Sequence, residues 1–177
     1  SPAGWRDTAA GIANKELEAR GRGFWFMLDA GVPLLEGVRR GFAAAGFSGG
    51  VLTTDGGTLG PFAYVMPALS KTAEHAAFYS DTFRPAGITR LRAATMTFGE
   101  RDGAPFFHCH GLWTEADGRS GGGHLLPEET VVAESCRVEA FGLSGAAFVA
   151  ELDHETNFKL FGPVPAQPDS GTGMRRA

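Results

Sequence analysis

The sequence predicts a single α+β domain, in which an antiparallel-rich sheet is combined with one main helix. Apolar residues recur at sustained helical spacing in one segment, which begins at Pro33 and ends near Gly46. From Ile88 onward, short apolar segments alternate with glycine-containing turns, a pattern typical of antiparallel strands. The 177 residues contain no recognisable internal repeat and no second domain boundary, so their length fits one domain with a sizeable core.

The first third of the chain predicts an arm, a strand and the helix. Residues 1–22 have no sustained periodicity and are expected to form a loose N-terminal arm. Gly23–Leu28 is almost wholly apolar, which predicts a buried strand. Pro33 fits the first turn of the helix that follows. Gly37 and Gly41 lie four residues apart on one helix face, so we expect close packing against the sheet there.

The middle of the chain is rich in glycine. Residues 48–57 are predicted to form a strand and a turn, because their glycines match neither common phosphate-binding spacing. Pro61–Val65 predicts another strand. The polar segment 67–87 is expected to form a short helix or an extended surface loop, on which His75 is solvated.

The second half predicts four further strands before a tail. The predicted strands are Ile88–Phe98, Pro105–Trp113, Val131–Phe141 and Phe148–Leu152. Turns are predicted at Glu100–Gly103 and Thr114–Gly122. Residues 163–177 are rich in Pro, Gly and Ser and are expected to form a flexible C-terminal tail, so the folded domain is predicted over residues 23–162.

Composition excludes several classes of function. Sixteen basic and twenty acidic residues give a formal net charge of −4, and the absence of a Lys/Arg cluster disfavours a free-standing nucleic-acid binder. Two cysteines, Cys109 and Cys136, are too few for a disulfide framework. No segment approaches the roughly 18 apolar residues of a membrane span, and no leader is recognisable, so the default expectation is a cytoplasmic protein.

Three of the five histidines fall within 17 positions, at His108, His110 and His124. Residues two apart on a strand point to the same face, so His108 and His110 are predicted to project side by side. The loop before the return strand decides where His124 points. A two-residue turn at 117–118 places it on the opposite face, whereas a three-residue loop at 117–119 places it on the histidine face, and Gly121–Gly123 could also hold a register-correcting bulge.

Three imidazoles without a fourth protein ligand are typical of an open zinc site, in which water or substrate occupies the remaining position. Structural zinc sites usually close with thiolates, but Cys109 is predicted to face away from the histidines. Imidazole also accepts nickel, copper and iron. The alternative is that the histidines only make ordinary hydrogen bonds.

These segments resemble the plant and prokaryote conserved (PPC) domain. The resemblance covers Phe107–His110, Glu115–Arg119, Gly122–Leu126, Val131–Ala133, Glu151–Leu160 and Asp29–Glu36. It implies an α+β domain that assembles as a homotrimer, with a metal at the three histidines in many bacterial members. The family also implies a DNA-associated regulatory protein, because its plant members accompany AT-hook segments. No Arg-Gly-Arg-Pro core is present in this chain, so DNA binding is possible but disfavoured.

The histidine arrangement is also similar to the zinc site of α-acetolactate decarboxylases, which implies a zinc-dependent lyase acting on a small carboxylate. In that hypothesis the catalytic candidates are Arg90 and Arg92, which would hold the carboxylate. The third candidate is Glu128, which the three-residue loop would place opposite His108, where it could orient a metal ligand or transfer a proton. Alternatively, the arginines form a solvated or interface surface and Glu128 lies in a loop.

Overall fold

Twelve strands and one helix make up the part of the chain described by the computed structural model, which covers residues 20–54, 56–69, 77–79, 81–153 and 158–165. In chain order the elements are β1 (Arg20–Leu28), α1 (Leu34–Ala44), β2 (Gly50–Thr54), β3 (Thr58–Leu59), β4 (Tyr64–Val65), β5 (Pro67–Leu69), β6 (Ala77–Tyr79), β7 (Thr89–Arg101), β8 (Ala104–Thr114), β9 (Ser120–Leu125), β10 (Cys136–Ser144), β11 (Ala146–Asp153) and β12 (Phe158–Pro165). This mixture confirms the predicted α+β class.

One ten-stranded sheet dominates the fold. Its main path runs β1-β10-β2-β7-β8-β9-β4, and β3, β11 and β12 branch from it. The neighbours along this path are antiparallel, whereas β11 lies parallel to β7 over a short stretch. Strands β5 and β6 form a separate two-stranded sheet. The long β7–β8 hairpin lies in the middle of the path, so its side chains are placed by neighbours on both sides.

Helix α1 covers one face of the sheet because its apolar residues share one side. Leu34, Val38 and Phe42 are buried, at the three- and four-residue spacing of a helix. The helix ends at Ala44, and Gly46 two residues later adopts a φ of 84°, the left-handed conformation that glycine favours after a helix. The Phe47 N–H donates to the Phe42 carbonyl at 3.0 Å, which satisfies one of the free carbonyls at the helix end.

The core lies between α1 and the face of the sheet that the helix covers. The Phe42 ring contacts Phe98 at 4.9 Å and Phe24 at 5.1 Å between ring centroids, and Trp113 is fully buried. The opposite face is uncovered in the single chain. It presents a set of large exposed apolar side chains, Trp25, Met27, Val51, Leu112 and Phe141. Both faces of the sheet therefore contain apolar residues, but those of one face are buried under the helix and those of the other are exposed.

Several element boundaries differ from those predicted by the sequence. The first strand begins at Arg20 rather than Gly23, and the strand predicted over Pro61–Val65 is limited to two residues. The described parts of segment 67–87 include two short strands instead of a helix, and His75 lies outside the described residues. Strand β12 was not predicted and contains residues assigned above to the tail.

Val131 and Val132 were expected to begin a strand but lie before it. They form isolated bridges to Pro33 and Leu59, because tertiary contacts with the start of α1 and with β3 occupy their backbone groups. The strand itself begins at Cys136. Within the described residues, no helix is long and apolar enough to cross a membrane.

Candidate metal centre

Strands β8 and β9 bring the three histidines together. Along β8, Phe107, Cys109 and Trp113 are buried, so the intervening His108 and His110 project from the uncovered face. His124 lies in β9 directly opposite His110 in the antiparallel register. All three imidazoles therefore share one face, which is the arrangement that the three-residue loop predicted.

The loop between β8 and β9 sets this register. Ladder pairing ends at Thr114 and resumes at Ser120. Glu115 and Arg119 continue the same register through a backbone hydrogen bond, so the loop has three residues, 116–118, and lies one residue earlier than the predicted 117–119. The Glu115 N–H donates to the Arg119 carbonyl at 2.8 Å, and Gly118 adopts a φ of 88°. The loop keeps the parity of the three-residue alternative but moves His124 one diagonal step, to a position directly across from His110.

Side chains hold the loop in this conformation. The Asp117 carboxylate accepts hydrogen bonds from the Arg119 backbone N–H at 3.0 Å and from Arg119 Nε at 2.8 Å. These contacts lower the pKa of the Asp117 carboxyl, and the backbone hydrogen bond from Arg119 has the largest effect. Arg119 also contacts the buried Glu115 at 3.2 Å, and the Tyr64 hydroxyl donates to the same carboxylate at 3.4 Å. The loop is thereby tied to β4 and to the core.

The imidazole rings are close enough to share one ion. Nε2 of His108 and Nε2 of His110 are 2.7 Å apart, and the ring centroids of His110 and His124 are separated by 3.9 Å. One ring nitrogen from each histidine lies within 4.8 Å of the other two. The pKa of His124 is lowered to about 4, mainly by burial and further by the neighbouring His110 and His108. Burial also lowers the pKa of His108. Both imidazoles are therefore neutral near pH 7, the state that binds a metal.

No acidic or sulfur ligand joins this group among the described residues. Cys109 lies between two of the histidines in sequence but is buried on the core face, where burial raises the pKa of its thiol to about 12. Its orientation agrees with the prediction. A metal at the histidines would therefore have three neutral nitrogen ligands and at least one position open to a ligand from solution.

The sequence analysis missed the neighbours of the histidines on the adjacent strands. Thr97 lies opposite His108 and Thr95 lies opposite His110, so two hydroxyl-bearing side chains of β7 occupy the same face. Val65 of β4 lies opposite His124. The alternation of β7 could have indicated the threonines, but the pairing partner of each could not be read without the hairpin register.

The three catalytic candidates lie in different places. Arg90 and Arg92 are exposed on β7, the former opposite Thr114 and the latter at a break in the β7–β8 register. The prediction that Glu128 lies opposite His108 is wrong. Strand β9 ends at Leu125, and Glu128 lies beyond it in an exposed turn, which the Glu129 N–H closes by donating to the Leu126 carbonyl.

Comparisons with known proteins identify the fold. No family model and no curated protein matches this chain. Among solved structures, a metal-containing protein from Archaeoglobus fulgidus aligns with a TM-score of 0.62 and 21% identity, over 85% of this chain and 99% of that one. A plant- and prokaryote-conserved (PPC) protein from Pyrococcus horikoshii aligns with a TM-score of 0.62 and 17% identity, over 88% and 100% respectively.

A third similar structure comes from another organism and has a different name. A protein from Ralstonia eutropha JMP134, called a "putative DNA-binding protein", aligns with a TM-score of 0.55 and 15% identity, over 78% of this chain and 89% of that one. The chain therefore has the PPC fold, which confirms the architecture implied by the resemblance. At these identities the likeness concerns the fold, and the function of this chain must be argued from its own residues.

Proposed function

We propose that this chain is a metal-binding domain of the PPC type, in which His108, His110 and His124 bind one divalent transition-metal ion. The observation that carries the proposal is the convergence of three ring nitrogens within 4.8 Å on one face of the sheet. Zinc fits the ligand set best, because three imidazoles and an open position are typical of its non-structural sites. The metal-containing neighbour from Archaeoglobus fulgidus supports a metal at this site.

The ring positions fit a small ion with modest side-chain adjustment. Zinc–nitrogen bonds of about 2.0–2.1 Å in a tetrahedral site place neighbouring ligand nitrogens about 3.3 Å apart. The Nε2 atoms of His108 and His110 are slightly closer than this, at 2.7 Å. A bound ion of this kind supplies Lewis-acid chemistry, because it polarises an oxygen of whatever ligand takes its open position.

We also propose that the protein is a homotrimer assembled through the uncovered sheet face. The backbone register places His108 in one cross-strand row with Thr97, Val51 and Phe141. The exposed fraction is 55% for Trp25 and 59% for Leu112 on the same face. Large apolar side chains grouped on one surface favour a protein–protein contact, and such a contact would shield the metal from bulk water.

Metal-dependent stability tests the assignment of the ligands. We expect that zinc added to chelator-treated protein raises the midpoint of thermal unfolding, because an ion that binds only the folded state stabilises it by about 2.7 kcal/mol at one hundred times its Kd. His110→Ala should abolish the shift. Glu139→Gln is the matched control, since Glu139 is an exposed carboxylate on the same face that contacts Arg137 instead of the histidines. An equal shift in His110→Ala would contradict the assignment.

A zinc-dependent enzyme is the second candidate, favoured by the open metal position and by two arginines on the face that bears the histidines. It predicts turnover of a small carboxylate-bearing substrate that is lost on chelation. Replacing His110 by Ala without any effect on such turnover would exclude this role.

DNA association has less support than either the metal-binding role or the enzymatic role. The names of related structures support it, but the formal net charge of −4 opposes contact with phosphates. A mobility shift of duplex DNA at low salt that disappears at moderate salt would support a regulatory role. No shift at low salt would exclude it.

A further inference from the structure

A β-bulge places an arginine on the histidine face. The register between β7 and β8 shifts so that Leu91 opposes Trp113 and Ala93 opposes Leu112, which leaves Arg92 without a partner residue in β8. Because of this extra residue, Arg92 and Ala93 are both exposed although they are consecutive. Bulges redirect side chains in this way and are common beside functional sites.

Arg92 lies close to the histidines along the strand. Thr95 is directly opposite His110, and Arg92 precedes it by three residues, or about 10 Å at the rise of a strand. An arginine side chain and a ligand of a few atoms together span that separation. Arg90, two residues earlier, is exposed on the same strand.

Two arginines near the histidines have no acidic partner among the described residues. Most other described arginines contact carboxylates: Arg39 and Arg40 contact Glu36, Arg84 contacts Glu129, Arg119 contacts Asp117 and Glu115, and Arg137 contacts Glu139. Within the described residues, Arg90 and Arg92 form no ion pair. Imidazole is a neutral metal ligand, and no described carboxylate belongs to the cluster. A divalent ion held there would therefore attract an anionic ligand.

We propose that the site binds a short dicarboxylate, with one carboxylate on the open metal position and the other on the guanidinium of Arg92, assisted by Arg90. This inference rests on the proposed metal site. A planar guanidinium matches a carboxylate with two parallel hydrogen bonds, and the ion accepts the second carboxylate as an oxygen ligand. The separation along β7 favours two carboxylates at opposite ends of a short chain over a single carboxylate.

Calorimetric titration of the zinc-loaded protein with succinate and with acetate tests this inference. We expect succinate to bind wild type more tightly than acetate. Arg92→Gln should weaken succinate roughly ten- to hundredfold, the loss of a charge-assisted hydrogen bond, and leave acetate binding and zinc content unchanged. Arg137→Gln is the matched control, because its arginine is exposed but already paired with Glu139, and it should bind succinate as wild type does.

The outcomes separate this inference from the metal site. If wild type holds zinc and Arg92→Gln binds succinate as tightly as wild type does, the role of Arg92 is wrong and the metal site stands. If the protein holds zinc but does not bind succinate, the inference is wrong and the metal site stands. If wild type holds no zinc, the proposed function fails and the inference fails with it.

Discussion

The three glycines that precede His124 act through the space they leave. The sequence suggested that a bulge at Gly121–Gly123 could correct the register, but β9 pairs with β8 without interruption there. Instead, a side chain at Gly121 would place its Cβ 2.5 Å from Nε1 of Trp113, and one at Gly123 would lie 2.9 Å from Sδ of Met66. These glycines allow bulky neighbours to pack against the strand that holds the third histidine.

Gly121→Ala tests this packing role at the scale of one residue. We expect the free energy of unfolding to fall by about 1–3 kcal/mol, because an added methyl group overpacks a well-filled site and the fully buried Trp113 indole has little room to move. Gly162→Ala is the control, since it is also in a strand but has no atom within 4 Å of the new Cβ. Denaturant titration measures both, and equal stability of the two variants would contradict the packing role.

Among the elements, α1 and β8 could be predicted from sequence because the signals that define them are local. The spacing from Leu34 to Phe42 and the glycine at position 46 fix the helix, and the alternation around Cys109 fixes which side chains of β8 share a face. That alternation alone placed His108 and His110 together.

Other elements depend on contacts between residues distant in sequence or on side-chain geometry. The register of His124 follows from the loop that Asp117 and Arg119 hold, and the glycine spacing did not reveal the position of that loop. The bulge at Arg92 arises within an otherwise regular strand. Val132 pairs with Leu59 because of the tertiary fold. The loop and the bulge shape the candidate site beyond its first two histidines.

Two glycines of α1 provide a test at the scale of the element. In Gly41→Ala the new Cβ would overlap the Phe26 ring of β1, whereas in Gly37→Ala it would meet only the terminal Cδ2 of Leu28, at 2.9 Å. Alanine is favoured over glycine in a helix by about 1 kcal/mol. We expect Gly41→Ala to lower the unfolding free energy and Gly37→Ala to leave it unchanged or to raise it. Thermal unfolding in which Gly41→Ala is the more stable variant would contradict this contact.

At the scale of the whole molecule, one sheet face packs under the helix and the other combines exposed apolar side chains with the histidines. Trp25 and Phe141 are among the side chains that the second face exposes. The exposed apolar side chains of this face favour contact with another protein, and the acidic balance of the whole chain opposes contact with a nucleic acid.

If the protein assembles through this face, substitutions of its exposed apolar side chains should lower the mass of the particle in solution. We expect light scattering of wild type to give about three times the 18.6 kDa of one chain, and the variant with Trp25→Glu and Phe141→Glu to give a monomer, because burial of unpaired carboxylates is costly. Both side chains are exposed in the single chain, so circular dichroism should show an unchanged fold. A monomeric wild type, or a trimeric variant, would contradict the proposed interface.

The central claim is that three histidines of one chain bind one metal ion, and elemental analysis of protein purified without chelators tests it most directly. The geometry of His108, His110 and His124 predicts close to one divalent ion per chain in wild type and in the Glu139→Gln control. It predicts none in the His108→Ala/His124→Ala variant. Absence of metal from wild type, or full metal content in the double variant, would contradict the account.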